Sequence, residues 1–114
     1  MVPYSGDDFY CDVAIPRREP LVVVFEDRDV LAFHHTRPFW PVHVVVVPKV
    51  HVDSLLTLHD AGLAARLLEV VQSVAADVVA EHASASVMTN LGGYQDSHHL
   101  HVHVHSGEAL SRAL

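Results

Sequence analysis

The chain has 114 residues, half of them hydrophobic and 18% charged, with a net charge of −7 when its histidines are neutral. This is one domain's length of chain with enough apolar side chain for a core, and not the composition of a disordered segment. Seven Lys plus Arg against fourteen Asp plus Glu argue against the basic stripe that a nucleic-acid polymer needs, while leaving a single nucleotide open as a ligand.

The acidic N-terminus, MVPYSGDDFYCD, has no long apolar run and does not read as a signal peptide. Cys11 is the only cysteine, so no internal disulfide can form and a reducing, cytoplasmic setting is expected. The apolar stretches fall well short of the roughly 20 residues that span a bilayer, so no membrane contact is expected.

In chain order, PLVVVFED (20–27) is a β-branched run that breaks at Glu26, Asp27 and Arg28. A tight turn joins it to VLAFHH (30–35), a second strand. RPFWP (37–41) is a proline-bounded loop in which Trp40 lines an entrance or simply packs. VHVVVVP (42–48) is the clearest strand, a buried valine run closed by Pro48. Thr57 and Asp60 stand as an N-terminal capping pair for a long helix. Its apolar stripe is Leu63, Leu67, Val70, Val71, Val74, Val78 and Val79, and it fades at 82–84. SASVMTN (84–90) reads as a fourth strand, LGGYQDS (91–97) as a turn, and HHLHVHVH (98–105) as a fifth strand. Several strands, one long helix and a closing hairpin predict a single α+β domain over 1–114, an antiparallel sheet with helix on one face.

On a strand, His99, His101, His103 and His105 project to one side, about 7 Å apart, and Leu100, Val102 and Val104 to the other. One histidine on a strand face is usually structural. Four in a row are better read as a catalytic or ligand set. His98 points the other way and is structural.

The pattern His-φ-His-φ-His-φ-φ, with φ apolar, is similar to the signature of the histidine triad (HIT) family of nucleotide hydrolases and transferases. The block VFEDRDVLAFHHTRPFWPVHVVVVPKVHV (24–52) resembles the family's three-strand block without a gap. The resemblance runs over about residues 8–107 and implies the HIT-like fold, with about five antiparallel strands, one long helix and a short one. Two registers fit. Placing the triad at His99, His101 and His103 breaks one trailing apolar position; placing it at His101, His103 and His105 breaks both. The first register also sets Gln95 four residues before the triad, so it is preferred.

The resemblance implies attack by His101 on the α-phosphorus of a nucleotide and a covalent nucleotidyl-histidine, which water then releases. Neutral imidazole is a competent nucleophile near pH 7. His99 and His103 would donate to phosphate oxygens, and Asn90 and Gln95 would orient phosphate or leaving group, unless they merely cap their loop. No cofactor is needed for such a step. Phe9, Tyr10 and Phe33 match the base pocket and fit a core role equally well. Homodimers are the family's usual assembly.

Two positions depart from the family pattern. Asp96 stands where Ser or Thr is common, and an ionised carboxylate cannot donate to a leaving group. His35 stands where an Asp accepts from the ribose hydroxyls, and neutral imidazole accepts only one hydrogen bond. The family's structural zinc site corresponds here to Asp8, Cys11, His51 and His99, with an Asp in place of the first cysteine.

Three classes of function follow. One is a phosphoramidase or dinucleoside polyphosphate hydrolase acting through His101. A second is a nucleotide-binding module with catalysis lost through Asp96 and His35. The third uses the histidine row as metal ligands, without the Glu of an H-E-x-x-H site.

Overall fold

A computed structural model describes residues 6–110. Five strands, β1 (Val23–Glu26), β2 (Val30–His34), β3 (Val42–Pro48), β4 (Ser86–Met88) and β5 (Val102–Ser106), form one sheet in the order β1-β2-β3-β5-β4. Every pairing is antiparallel. One long helix, α1 (Ala61–His82), lies between β3 and β4 in the chain and covers one face. The α+β, HIT-like architecture expected from the sequence is the one observed.

Local chemistry sets each junction. The Asp27 carboxylate accepts from the Asp29 and Val30 amides at 2.8 Å each, closing the β1–β2 turn. Its other oxygen receives Arg66 Nε at 2.8 Å and Arg66 Nη2 at 2.7 Å, which ties α1 to that turn. The Asp60 carboxylate caps α1 by accepting from Leu63 N at 2.9 Å. Thr57 does not share that cap. It forms a reciprocal box with Ser54 on a separate short turn, Leu55–Thr57, because each cap can serve only the backbone amides that directly follow it. At the other end Ala83 turns left-handed, at φ 72°, and donates to Val79 O.

The two strand faces divide the valines. Val44, Val46, Val102 and Val104 meet Leu67, Val70, Val71, Val74 and Val78 of α1. Each is worth about 1.5–3 kcal/mol of burial before the entropy of ordering is counted, so this layer anchors the sheet. Val79, expected in the stripe, turns outward and is exposed.

The opposite face is also covered. A wide N-terminal helical turn, Tyr10–Ala14, closed by an Ile15 N–H to Tyr10 O bond of 2.8 Å, lays Tyr10 and Ala14 over Leu31, Phe33, Val45 and Val47. Nothing in the apolar pattern of residues 8–15 announced this cover, since five residues carry too little periodicity to read.

The last strand is shorter than expected. It begins at Val102, and residues 98–101 are held by contacts outside the sheet ladder, among them His98 N donating to Asp7 O at 2.8 Å, Leu100 N to Val52 O at 2.6 Å and Thr89 Oγ1 to His101 O at 2.8 Å. The fourth strand likewise shrinks to three residues. Among the described residues no helix is long and apolar enough to cross a membrane.

Candidate active site and metal cluster

His101 and His103 open onto a cavity of about 340 Å³ under the N-terminal turn. His101 is 3% exposed, and its Nδ1 lies 2.7 Å from the backbone oxygen of His99. A carbonyl can only accept, so Nδ1 carries the proton and Nε2 keeps its lone pair. Burial lowers the pKa of His101, and the His99 carbonyl and the charge of Asp96 oppose that only in part.

A second chain of imidazoles is fixed in the same way. Phe39 N donates to His43 Nδ1 at 3.1 Å, so the proton of neutral His43 is on Nε2 and is given to His103 Nδ1 at 2.8 Å. His103 therefore presents Nε2–H. His35 stacks on His43 at 4.4 Å between centroids and accepts the Arg37 amide on Nδ1 at 3.0 Å, so its Nε2 is protonated too. Burial and the neighbouring imidazoles push His43 down to about 3 and His103 to about 4. His35, His43 and His103 bring ring nitrogens within 4.8 Å of one another, but these hydrogen bonds already occupy the lone pair a metal would take from His43.

His43 was not among the residues singled out from the sequence. Its signal was present: a lone polar residue at an inward position of an otherwise apolar, buried strand.

His99 does not do what was expected of it. It is wholly buried, with Nε2 2.7 Å from Pro48 O and Nδ1 3.0 Å from Asp8 Oδ2, so neither nitrogen reaches the cavity. Its role is to hold His101 by its carbonyl and the N-terminal turn by its ring. His105 is also outside the cavity, stacked on Trp40 at 3.6 Å, which places Trp40 as packing rather than as an entrance wall.

Asp8, Cys11, His51 and His99 converge, with donor atoms within 4.8 Å of one another. His51 Nδ1 is 2.5 Å from Asp8 Oδ2, and its Nε2 is 2.6 Å from Asp53 Oδ1. Cys11 Sγ is 3.4 Å from His99 Nδ1. Burial raises Asp8, but the Cys11 amide and His99 outweigh it and hold the carboxyl at about 2, whereas burial and Asp8 lift the Cys11 thiol to about 11. The donor set fits a tetrahedral zinc ion. His99 and His51 both turn Nδ1 inward, and each outer nitrogen has an acceptor, as metal-bound histidines commonly do. The row His99–His101–His103–His105 itself does not converge, which sets aside the reading of that row as a metal site.

The remaining candidates separate clearly. Phe9, Tyr10, Phe33 and His35 line the cavity, and Tyr10 sits 5.0 Å from the His101 ring. Asp96 lines it at an exposed rim position. Gln95 does not: its amide nitrogen donates to Asp53 O at 2.8 Å and Ser97 O at 3.2 Å, bracing the loop. Asn90 is half-buried after β4 and is outside the lining. Ser97, overlooked in the sequence, accepts Phe9 N at 3.1 Å and donates to Asp7 O at 3.2 Å, pinning the turn over the cavity.

A family model described as the HIT domain matches residues 17–110. The chain belongs to the HIT family. This HIT chain is 31% identical over 98 residues to Protein HitA of Neisseria gonorrhoeae, covering 83% of the chain and 91% of that protein. It is 35% identical over 106 residues to a protein of Arabidopsis thaliana named adenylylsulfatase HINT1, covering 88% and 71% respectively. A histidine triad protein of Clostridium difficile superposes with a TM-score of 0.75 at 31% identity, over 98% of this chain and 100% of that one. A structure described as a HIT family hydrolase from Legionella pneumophila gives 0.75 at 30% identity, over 89% and 93%.

The buried imidazoles make stability depend on pH. His43 and His103 take up protons near 6.5 when unfolded but only near 3 and 4 when folded. Below pH 6.5 the unfolded chain thus binds more protons, and stability falls as pH drops toward 4. Urea midpoints measured from pH 7 to pH 4.5 are expected to decline steadily, and the decline should be shallower in His103→Gln. An equal slope in both would contradict these two assignments.

Proposed function

We propose that this HIT protein is a nucleotide hydrolase of phosphoramidase or dinucleoside polyphosphate type that forms a covalent nucleotidyl intermediate on His101. One observation carries the reading: His101 is buried at the cavity wall with Nδ1–H committed to the His99 carbonyl, which leaves Nε2 as a preoriented lone pair.

In the first step Nε2 bonds to the α-phosphorus as the bond to the leaving group breaks, and the leaving group departs with that electron pair and gains a proton from water. The nucleotidyl-imidazole retains Nδ1–H and a positive charge, which the His99 carbonyl stabilises. His103 donates Nε2–H to a phosphate oxygen as negative charge gathers there. Water then bonds to phosphorus, the N–P bond returns its pair to Nε2, and the proton leaves to solvent. Asp96 at the rim cannot donate while ionised, so departure relies on solvent rather than on a neighbouring hydroxyl. The names of the Arabidopsis and Legionella relatives are in line with a hydrolase.

Steady-state release of AMP from an adenosine 5′-phosphoramidate and from diadenosine polyphosphates tests this. Wild type should turn over at least one class, and His101→Ala should lose at least about 10³-fold in kcat while keeping its thermal transition. Comparable turnover in the variant would overturn the proposal.

We also propose that Asp8, Cys11, His51 and His99 hold one structural zinc ion. Four protein ligands leave no open position, so the ion would supply folding energy rather than Lewis acidity. Protein purified with zinc should carry one equivalent per chain, with a raised thermal midpoint that chelator reverses. His51→Ala should lose both; retention of the metal in that variant would contradict the ligand set.

A further inference from the structure

We infer that the Thr89 hydroxyl is a positioning group for the nucleophile: by holding the main-chain oxygen of His101, it sets where the His101 ring points. This rests on the hydrolase reading above and deepens it.

The segment that carries His101 lies where the sheet runs out. The β4–β5 register ends at Met88↔His103 and the β3–β5 register at Val46↔Val102. Further along β3, Pro48 has no amide proton to give to a neighbouring segment, and its oxygen already faces His99 Nε2 at 2.7 Å. Past the end of both ladders a side chain takes over. Thr89, the residue that follows β4, donates from Oγ1 to His101 O at 2.8 Å. A carbonyl only accepts, so the one hydroxyl proton is committed to this bond. Thr89 is half-buried and β-branched, which leaves it few rotamers and holds the hydroxyl in place.

Two peptide units flank the nucleophile, and each is gripped from elsewhere in the fold. The unit between His99 and Leu100 turns its oxygen to His101 Nδ1 at 2.7 Å and its N–H to Val52 O at 2.6 Å. The unit between His101 and Val102 turns its oxygen to Thr89. The first fixes the ring at Nδ1; the second fixes the backbone from which the ring hangs. A ring held at both places keeps one orientation, and Nε2 stays where a phosphorus must meet it. Without the Thr89 bond the second unit can rotate, so the ring pivots about Nδ1 and Nε2 swings out of line. In-line displacement needs the lone pair aligned with the bond that breaks, and small misplacements cost heavily. Thr89 is not among the residues lining the cavity, so it acts on the reaction only through His101.

Two variants separate the hydroxyl from the shape. Thr89→Val keeps the shape and removes the hydroxyl; Thr89→Ser keeps the hydroxyl and removes the methyl. Both are compared with wild type on an adenosine 5′-phosphoramidate and a diadenosine polyphosphate, well below the thermal transition of each, with AMP affinity read by calorimetry. Thr89→Val should lose about 10- to 100-fold in kcat, with KM and AMP affinity within about twofold of wild type, and Thr89→Ser should recover most of the loss. A merely structural role would lower the thermal midpoint and leave kcat of the folded protein alone. A kcat for Thr89→Val within about twofold of wild type would overturn the inference, as would a raised KM at unchanged kcat. So would a Thr89→Ser as slow as Thr89→Val, which would make the methyl group the active feature. If wild type turns over neither substrate, the hydrolase reading fails and nitrogen-15 spectra of the imidazoles decide the positioning. Thr89→Val should then broaden or split the His101 ring signals, leave those of His43 in place, and be reversed by Thr89→Ser. A single, unshifted set of His101 signals in Thr89→Val would overturn it.

Discussion

The 2.7 Å bond from His101 Nδ1 to the His99 carbonyl is the contact on which the site depends. It fixes which nitrogen of His101 can act as a base or nucleophile, and it does so from backbone whose own position is over-determined. The His99 ring is clamped between Pro48 O and Asp8, Leu100 N reaches Val52, and His98 N reaches Asp7. Residues 98–101 lie before β5, so sheet pairing does not hold them. The N-terminal turn, the loop after β3 and the Thr89 hydroxyl hold them instead. Disturbing Asp8 or His51, neither of which lines the cavity, should therefore reach the nucleophile through the peptide of His99.

Burying four imidazoles, His43, His99, His101 and His103, in and around a valine sheet would be costly if their nitrogens lacked partners. Here much of that cost is met locally, and only His103 Nε2–H is turned to the cavity. His43 gives to His103, His101 to a carbonyl, and His99 to another, and among the described residues no buried side-chain nitrogen or oxygen lacks a partner. The same accounting keeps the imidazoles of His43, His101 and His103 neutral at physiological pH. Burial is the first cause of the lowered pKa values of all three; repulsion by neighbouring imidazoles adds to it, from His35 and His103 at His43, from His101 and His35 at His103, and from His99 at His101. A neutral imidazole suits a nucleophile, since protonation of Nε2 would remove the lone pair.

Much of this was legible in the chain. The alternation of Leu100, Val102 and Val104 with the histidines gave the two faces correctly, and the valine run of β3 and the stripe of α1 gave the core between them. Of the four same-face histidines, the three of the preferred register, His99, His101 and His103, are buried and His105 is less so. What escaped were features set by contacts distant in sequence. The division of labour between His99 and His103 depends on Asp8 and Pro48, neither adjacent in the chain. Gln95 turned inward to Asp53 and Ser97 rather than toward the cavity, which its spacing alone could not reveal. The N-terminal turn is short and irregular, and its cover over the second face follows from Ser97 and Asp7 bonds rather than from any periodic pattern.

The central claim is a proton position, and it can be observed directly. Nitrogen-15 correlation spectra of the imidazole rings at neutral pH, assigned through His101→Ala, distinguish the two neutral tautomers and the cation. The structure predicts His101 as the neutral Nδ1–H form, with Nε2 unprotonated and no titration until the pH is below the ordinary histidine value. A spectrum showing the proton on Nε2, or a His101 that is already cationic at pH 7, would contradict the account of how this site is built to react.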